Sequence, residues 1–113
     1  MTSEADAPAA VTIFDDLVLP IDAVDEWFDR WRQDYLPGAT ERGLRLTGAW
    51  RGFTEDPEKA TVVIQWTMPT VGAFFGSRGK SGADPAVAAF WAATDQIACR
   101  RERRVMQDAG IRT

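Results

Sequence analysis

The chain of 113 residues contains no histidine. That absence excludes imidazole acid–base catalysis, a histidine-ligated haem and the commonest zinc sites. Chemistry is left to carboxylates, arginine, lysine, hydroxyl groups, one tyrosine, one cysteine or the ligand itself. The single Cys99 excludes an internal disulfide and fits a reducing compartment, so a cytoplasmic location is expected. Taken alone, Cys99 reads as a small buried apolar group. No apolar run approaches the roughly 20 residues of a membrane helix. Residues 1–10 lack the positive start and apolar middle of a secretion signal, and their Ser, Glu, Asp, Pro and Ala point to a disordered tail. Basic excess is missing too. With a net charge of −4 there is no field for nucleic acid, and the arginines at 100–104 are too local to reverse it. Neither nucleic acid nor a membrane is expected as a partner.

What is present is ordinary globular material with one unusual component. A 45% hydrophobic and 27% charged chain of this length supports a single compact domain, expected over residues 11–113. Five tryptophans, Trp27, Trp31, Trp50, Trp66 and Trp91, fall in four separate segments. Plain packing explains flat apolar rings well. A ligand pocket walled by indoles explains them too, and each buried indole N–H wants an acceptor.

Periodicity orders the elements. Val11 to Leu19 is β-branched and aromatic and predicts a strand that Pro20 stops. Asp22 is a candidate cap for the helix that follows, with Asp25 and Glu26 in its first turn. Val24, Trp27, Phe28, Trp31 and Tyr35 recur at helical spacing as one apolar stripe, which Pro37-Gly38 is expected to break. Leu44 to Phe53 predicts a second strand and Thr54 to Lys59 a turn. Ala60 to Met68 alternates most clearly, with Val62, Ile64, Trp66 and Met68 against Thr61, Val63, Gln65 and Thr67. Val71 to Phe75 predicts a short helical start, and Gly76 to Gly82 a flexible loop. Asp84-Pro85 is a helix start with Asp84 as cap, and Val87, Phe90, Trp91, Thr94 and Ile97 mark the buried face. Cys99 to Met106 predicts a last strand.

Strand–helix–strand–strand–helix–strand is the split βαβ plan of ferredoxin-like α+β domains, βαββαβ. Helices then cover one sheet face. The third strand carries apolar residues on both sides, so the other face needs a cover, and a sheet-to-sheet homodimer is the simplest one.

Few residues are candidates for chemistry. Asp15 and Asp16 are adjacent on a strand, so they point to opposite faces and cannot act as a dyad. A carboxylate in an apolar pocket suits a general base; a strand acid paired with arginine is the structural alternative. Arg51 lies beside Trp50. Arg101 and Arg103 share one face of the last strand, and Arg100, Glu102 and Arg104 the other. A buried arginine can hold a carboxylate, enolate or phenolate, and edge-strand solvation explains the same residues. Gly76 to Gly82 contains Gly-Lys-Ser, but the phosphate-loop spacing fails because position 74 is Phe. A mobile lid and an ordinary solvated loop both remain for that segment. Tyr35 is a possible proton donor that equally fits the core.

Two stretches carry a resemblance. Phe14-Asp15-Asp16-Leu17-Val18-Leu19-Pro20 leads into Glu26-Trp27-Phe28-Asp29-Arg30-Trp31, and Ile64-Gln65-Trp66 leads into Ala73-Phe74-Phe75. Over roughly residues 11 to 106 the chain resembles the dimeric α+β barrel proteins, in particular the antibiotic-biosynthesis-monooxygenase group. That resemblance implies a homodimer with a pocket between helices and sheet. It also implies activities ranging over cofactor-independent oxygenases of aromatic polyketides, polyketide cyclases and muconolactone-type isomerases, a secondary-metabolism setting. In that group an Asn on the first strand and a Trp near the end of the third line the pocket. Trp66 matches the Trp, while Asp15 stands near the Asn position and, when ionised, cannot donate a hydrogen bond. The haem-degrading branch places a histidine on the second long helix, and this chain has none.

Two functions follow. The first is a small enzyme without a cofactor, acting on a planar or polycyclic apolar metabolite as cyclase, isomerase or monooxygenase. Asp15 or Asp16 would be its base, and Trp27, Tyr35, Trp50, Arg51, Trp66, Phe74 and Trp91 would contact the small apolar or aromatic ligand. The second is a non-catalytic binding or assembly module of the same fold.

Overall fold

The computed structural model describes residues 10–111. The tail expected over residues 1–10 lies outside them apart from Ala10. Four strands, β1 (Val11–Pro20), β2 (Arg45–Phe53), β3 (Lys59–Met68) and β4 (Arg100–Gln107), form one antiparallel sheet in the order β2-β3-β1-β4. Helices α1 (Val24–Arg30), α2 (Leu36–Glu41), α3 (Val71–Gly82) and α4 (Pro85–Ile97) follow β1 and β3. This is the ferredoxin-like α+β plan expected from the order of elements.

Strict alternation decides which sheet face is closed. Val11, Ile13, Asp15, Leu17 and Leu19 of β1 are buried beneath the helices, as are Val62, Ile64, Trp66 and Met68 of β3. Their alternating neighbours Thr12, Phe14, Asp16, Val18, Thr61, Val63, Gln65 and Thr67 are only half-buried and form the open face. Trp27, Trp31 and Tyr35 fill the space between helix and sheet, as the stripe predicts, while Phe28 is half-buried at its margin.

Several local expectations need correcting. Asp22 does not cap α1: the chain enters through a 3-10 turn, Ile21–Ala23, capped by Pro20 with no side-chain hydrogen bond. Pro37-Gly38 does not end the helix. A π-helical segment, Trp31–Tyr35, inserts an extra residue per turn, with the Leu36 N–H donating to the Trp31 carbonyl. Pro37 thereby falls in the first turn of α2, where its missing N–H is not needed. The end comes at Gly43, whose φ of 95° suits a left-handed cap. Its N–H donates to the Thr40 carbonyl and that of Leu44 to Ala39, each at 3.0 Å.

Gly76 to Gly82 is not a loop but most of α3. Thr70 caps this helix, its Oγ1 accepting from the Ala73 N–H at 2.9 Å, and Phe74 and Ser77 are buried. The cap and those anchors override the low propensity of glycine. Asp84 caps α4 as expected, accepting from the Ala86 N–H at 2.9 Å, with Pro85 first in the helix. Phe90 and Thr94 are buried, but Ile97 at the last turn is exposed. Cys99 is exposed as well: its backbone N–H pairs with the Val18 carbonyl at 2.8 Å in the connection to β4, and its side chain stays outside the core. No helix among the described residues is long and apolar enough to cross a membrane.

Candidate functional site

Strand register assembles a buried polar cluster. Asp15 of β1 stands directly opposite Arg103 of β4. The guanidinium is bidentate on the carboxylate, with Nε to Oδ1 at 2.6 Å and Nη2 to Oδ2 at 2.9 Å. Trp66 of β3 donates its indole N–H to Oδ2 at 3.0 Å. Arg103 Nη2 also donates to the Tyr35 hydroxyl at 2.9 Å. Asp15 is 2% exposed and Trp66 fully buried, so this is an interior network that opens outward only through Arg103. Burial pulls the Arg103 guanidinium toward its neutral form, but hydrogen bonds and charge from Asp15, with a further contribution from Tyr35, outweigh it. The net shift is above the ordinary arginine value. Arg103 is therefore a permanent cation, and its Nη1 makes no hydrogen bond to any described residue. A second cation attends Tyr35 on its ring: the Arg42 guanidinium carbon lies 5.6 Å from the ring centroid, within cation–π range.

Beside the cluster lies a cleft of about 350 Å³ between α3 and β4, lined by Val71, Phe74, Phe75, Arg78, Arg103 and Val105. The four α3 residues follow helical spacing i, i+3, i+4, i+7, so one stripe forms the wall. Arg103 and Val105 alternate along β4 and share its inner face. Val71, Phe75 and Val105 are exposed apolar residues at the rim, Phe75 to 58%. Arg78 is exposed and has no ion pair or hydrogen bond among the described residues. The walls are thus apolar, the polar groups are two guanidinium ions, and no carboxylate lines the space.

The candidates from sequence separate into groups. Phe74 lines the cleft. Asp15, Trp66 and Tyr35 stand behind its Arg103 and do not line it. Trp66 is core, with Trp31 and Tyr35 against it at 5.8 and 6.1 Å between ring centroids. Trp27 is core too, stacked on Trp31 at 6.3 Å and donating to Thr94 Oγ1 at 3.0 Å. Trp91 is half-buried, its ring 5.1 Å from that of Tyr35 and covered by Arg101 at 4.6 Å. Arg101 is in turn fixed by Asp95 at 2.6 Å. Asp16 faces the open side and pairs with Arg104. Trp50 is also on the open face, opposite Val63, and Arg51 is tied to Asp25 of α1 at 3.1 Å. Trp50 and Arg51 therefore share no site with Asp15. The loop expected over Gly76 to Gly82 hid Arg78, although its spacing with Val71, Phe74 and Phe75 is the signal of one helix face.

These features define an α+β fold of the ferredoxin-like type with a lateral cleft. The same fold is found in a NIPSNAP domain protein from Burkholderia xenovorans (TM-score 0.72, 18% identity, covering 91% of this chain and 98% of that one). It recurs in a NIPSNAP family protein of unknown function from Agrobacterium tumefaciens (TM-score 0.70, 16% identity, 89% of each chain). A putative antibiotic biosynthesis monooxygenase from Nitrosomonas europaea shares it as well (TM-score 0.61, 8% identity, 91% and 93%). The resemblance read from sequence thus holds at the level of fold, now with NIPSNAP proteins beside the monooxygenase group. No family model and no curated protein sequence matches the chain.

Proposed function

We propose that this protein binds a flat apolar metabolite in the α3–β4 cleft and acts on it without a cofactor, as a cyclase, isomerase or monooxygenase. The observation that carries this reading is the meeting of an apolar cleft with the exposed edge of the Arg103–Asp15–Trp66 network. A cavity of about 350 Å³ falls within the roughly 300–1,000 Å³ of ordinary ligand sites, and apolar walls with a few fixed polar groups are their usual make-up. In this reading Phe74, Phe75 and Val71 hold the ligand plane, and Arg103 meets an enolate or phenolate oxygen. Asp15 positions Arg103 instead of serving as a base, because both its oxygens already accept hydrogen bonds. The proton then goes to solvent or to a group on the ligand.

A non-catalytic binding module is the second reading, and it too has an observation behind it. The space between helices and sheet is filled by the chain's own Trp27, Trp31 and Trp66. One experiment separates the two. Enolisable polycyclic ketones are incubated with the protein in D₂O, and exchange at the acidic carbon is followed by NMR. An enzyme of any of the three kinds accelerates exchange, and Arg103→Lys slows it. Binding without acceleration assigns the module.

We also propose a homodimer through the open sheet face. Phe14, Val18 and Val63 lie there without a helix over them, and Trp50 is 60% exposed. The Trp50 indole lies over Gly48, where a Cβ would come within 2.6 Å of its Nε1. A second sheet would cover this patch. Light scattering should give about twice the 12.5 kDa of one chain, and Trp50→Glu should shift it toward one. A wild-type monomer at micromolar concentration would remove the dimer from the account.

A further inference from the structure

Resting on the cleft reading above, we infer that the ligand is an organic monoanion, a flat apolar body carrying one carboxylate or acidic phenolate that seats between Arg103 Nη1 and Arg78. The inference comes from a charge count at the site. The chain as a whole is acidic, at −4, yet the cleft is lined by two arginines and no carboxylate. Arg103 is neutralised from behind by Asp15, which takes Nε and Nη2. Arg103 therefore contributes directed N–H groups more than net charge, and those of Nη1 face no described partner. Arg78, one helical turn from Phe74 on the same stripe, has no carboxylate partner among the described residues. The uncompensated charge of the cleft is thus close to +1. One anionic group satisfies it, whereas a dianion or phosphate brings more charge than the site can match. The planar fork of a guanidinium suits a carboxylate or a delocalised enolate or phenolate. The exposed rings and aliphatic groups at the rim, Phe75, Val71 and Val105, suit the apolar body.

The test uses a matched pair of probes, 2-naphthoate and the neutral 2-naphthamide, titrated calorimetrically into the full chain. Naphthoate should bind about tenfold tighter, the usual gain from a hydrogen bond to a charged group. Arg78→Gln, at an exposed position with no partner to lose, should bring the two probes to within about threefold, mainly by weakening naphthoate. Arg103→Lys should weaken naphthoate further if it folds; the Arg78 variant decides the matter if it does not. Because Arg103 stays charged, naphthoate binding should fall only as the probe's own carboxyl protonates. Equal binding of both probes, unmoved by Arg78→Gln, would overturn the anion inference and leave an apolar-ligand cleft standing. Tight naphthoate binding that ignores both arginines would overturn it by putting the anion elsewhere. Failure of both probes to bind at millimolar concentration, or a Phe75→Ala variant that changes the oligomeric state in place of affinity, would overturn the inference and the cleft reading together.

Discussion

Asp15→Asn is the perturbation that most sharply tests how the site is built. The substitution keeps shape and removes charge. Oδ2 accepts from both Trp66 and Arg103, so the amide oxygen must take that position. The amide NH₂ is then forced against Arg103 Nε, donor against donor, where a 2.6 Å hydrogen bond stood. Stranding one member of a buried ion pair costs about 3–5 kcal/mol. The Asp15 side chain is 3% exposed, but that of Arg103 is 29% exposed, so solvent screens part of the stranded charge. The expected loss is about 2–4 kcal/mol. For a domain of this size that lowers Tm by roughly 10–20 °C. Urea denaturation followed by far-UV circular dichroism, at one fixed protein concentration, measures it. Asp15→Leu with Arg103→Met, which removes both charges, should recover most of the loss. Asp16→Asn should cost no more than about 1 kcal/mol, because its partner Arg104 is 44% exposed. An Asp15→Asn protein within about 0.5 kcal/mol of wild type would refute the closed network.

Three further outcomes follow from the packing and electrostatics. Trp66→Ala should cost about 3–5 kcal/mol in urea denaturation, as a fully buried ring between Trp31 and Tyr35; unchanged stability with lost ligand affinity would make it a pocket wall after all. Gly76→Ala and Gly79→Ala should each stabilise by about 0.5–1 kcal/mol, since an added Cβ meets nothing within 4 Å and α3 gains helix propensity; destabilisation would argue that the segment is not helical in solution. The hydrogen bond from Arg101 holds Asp95 below the usual carboxylate range. Its contribution is therefore present above about pH 4, the unfolded value, and lost as pH falls through the lower folded value. Asp95→Asn should accordingly lose stability at neutral pH by a margin that closes as the pH falls through the lowered folded value, and a margin independent of pH would discard the pair.

Strand alternation made the sheet legible, because Val62, Ile64, Trp66 and Met68 cannot change face without exposing the core. The α1 stripe and the Asp84-Pro85 start were legible for similarly local reasons. The misread segments are those where tertiary packing outweighs local preference. Pro37 is accommodated by a π-helical turn that no periodicity announces, and the glycines of α3 are held helical by Thr70, Phe74 and Ser77. That second misreading cut Arg78 off from Val71, Phe74 and Phe75, since the four form one cleft wall only if the helix runs on past Phe75. The split of Asp15 and Asp16 to opposite faces was readable from strand geometry. The partner of each was not, because Asp15 meets Arg103 only through the β1–β4 register. Without that register a buried acid looks like a base; with it, the acid is the support of a cation.

A crystal structure of the protein soaked with 2-naphthoate would locate the ligand outright. Ring density should lie against Phe74 and Phe75 in the α3–β4 cleft, with the carboxylate on Arg103 Nη1 and within reach of Arg78. Density on the open sheet face beside Trp50, or between the helices and sheet in place of Trp66, would contradict it.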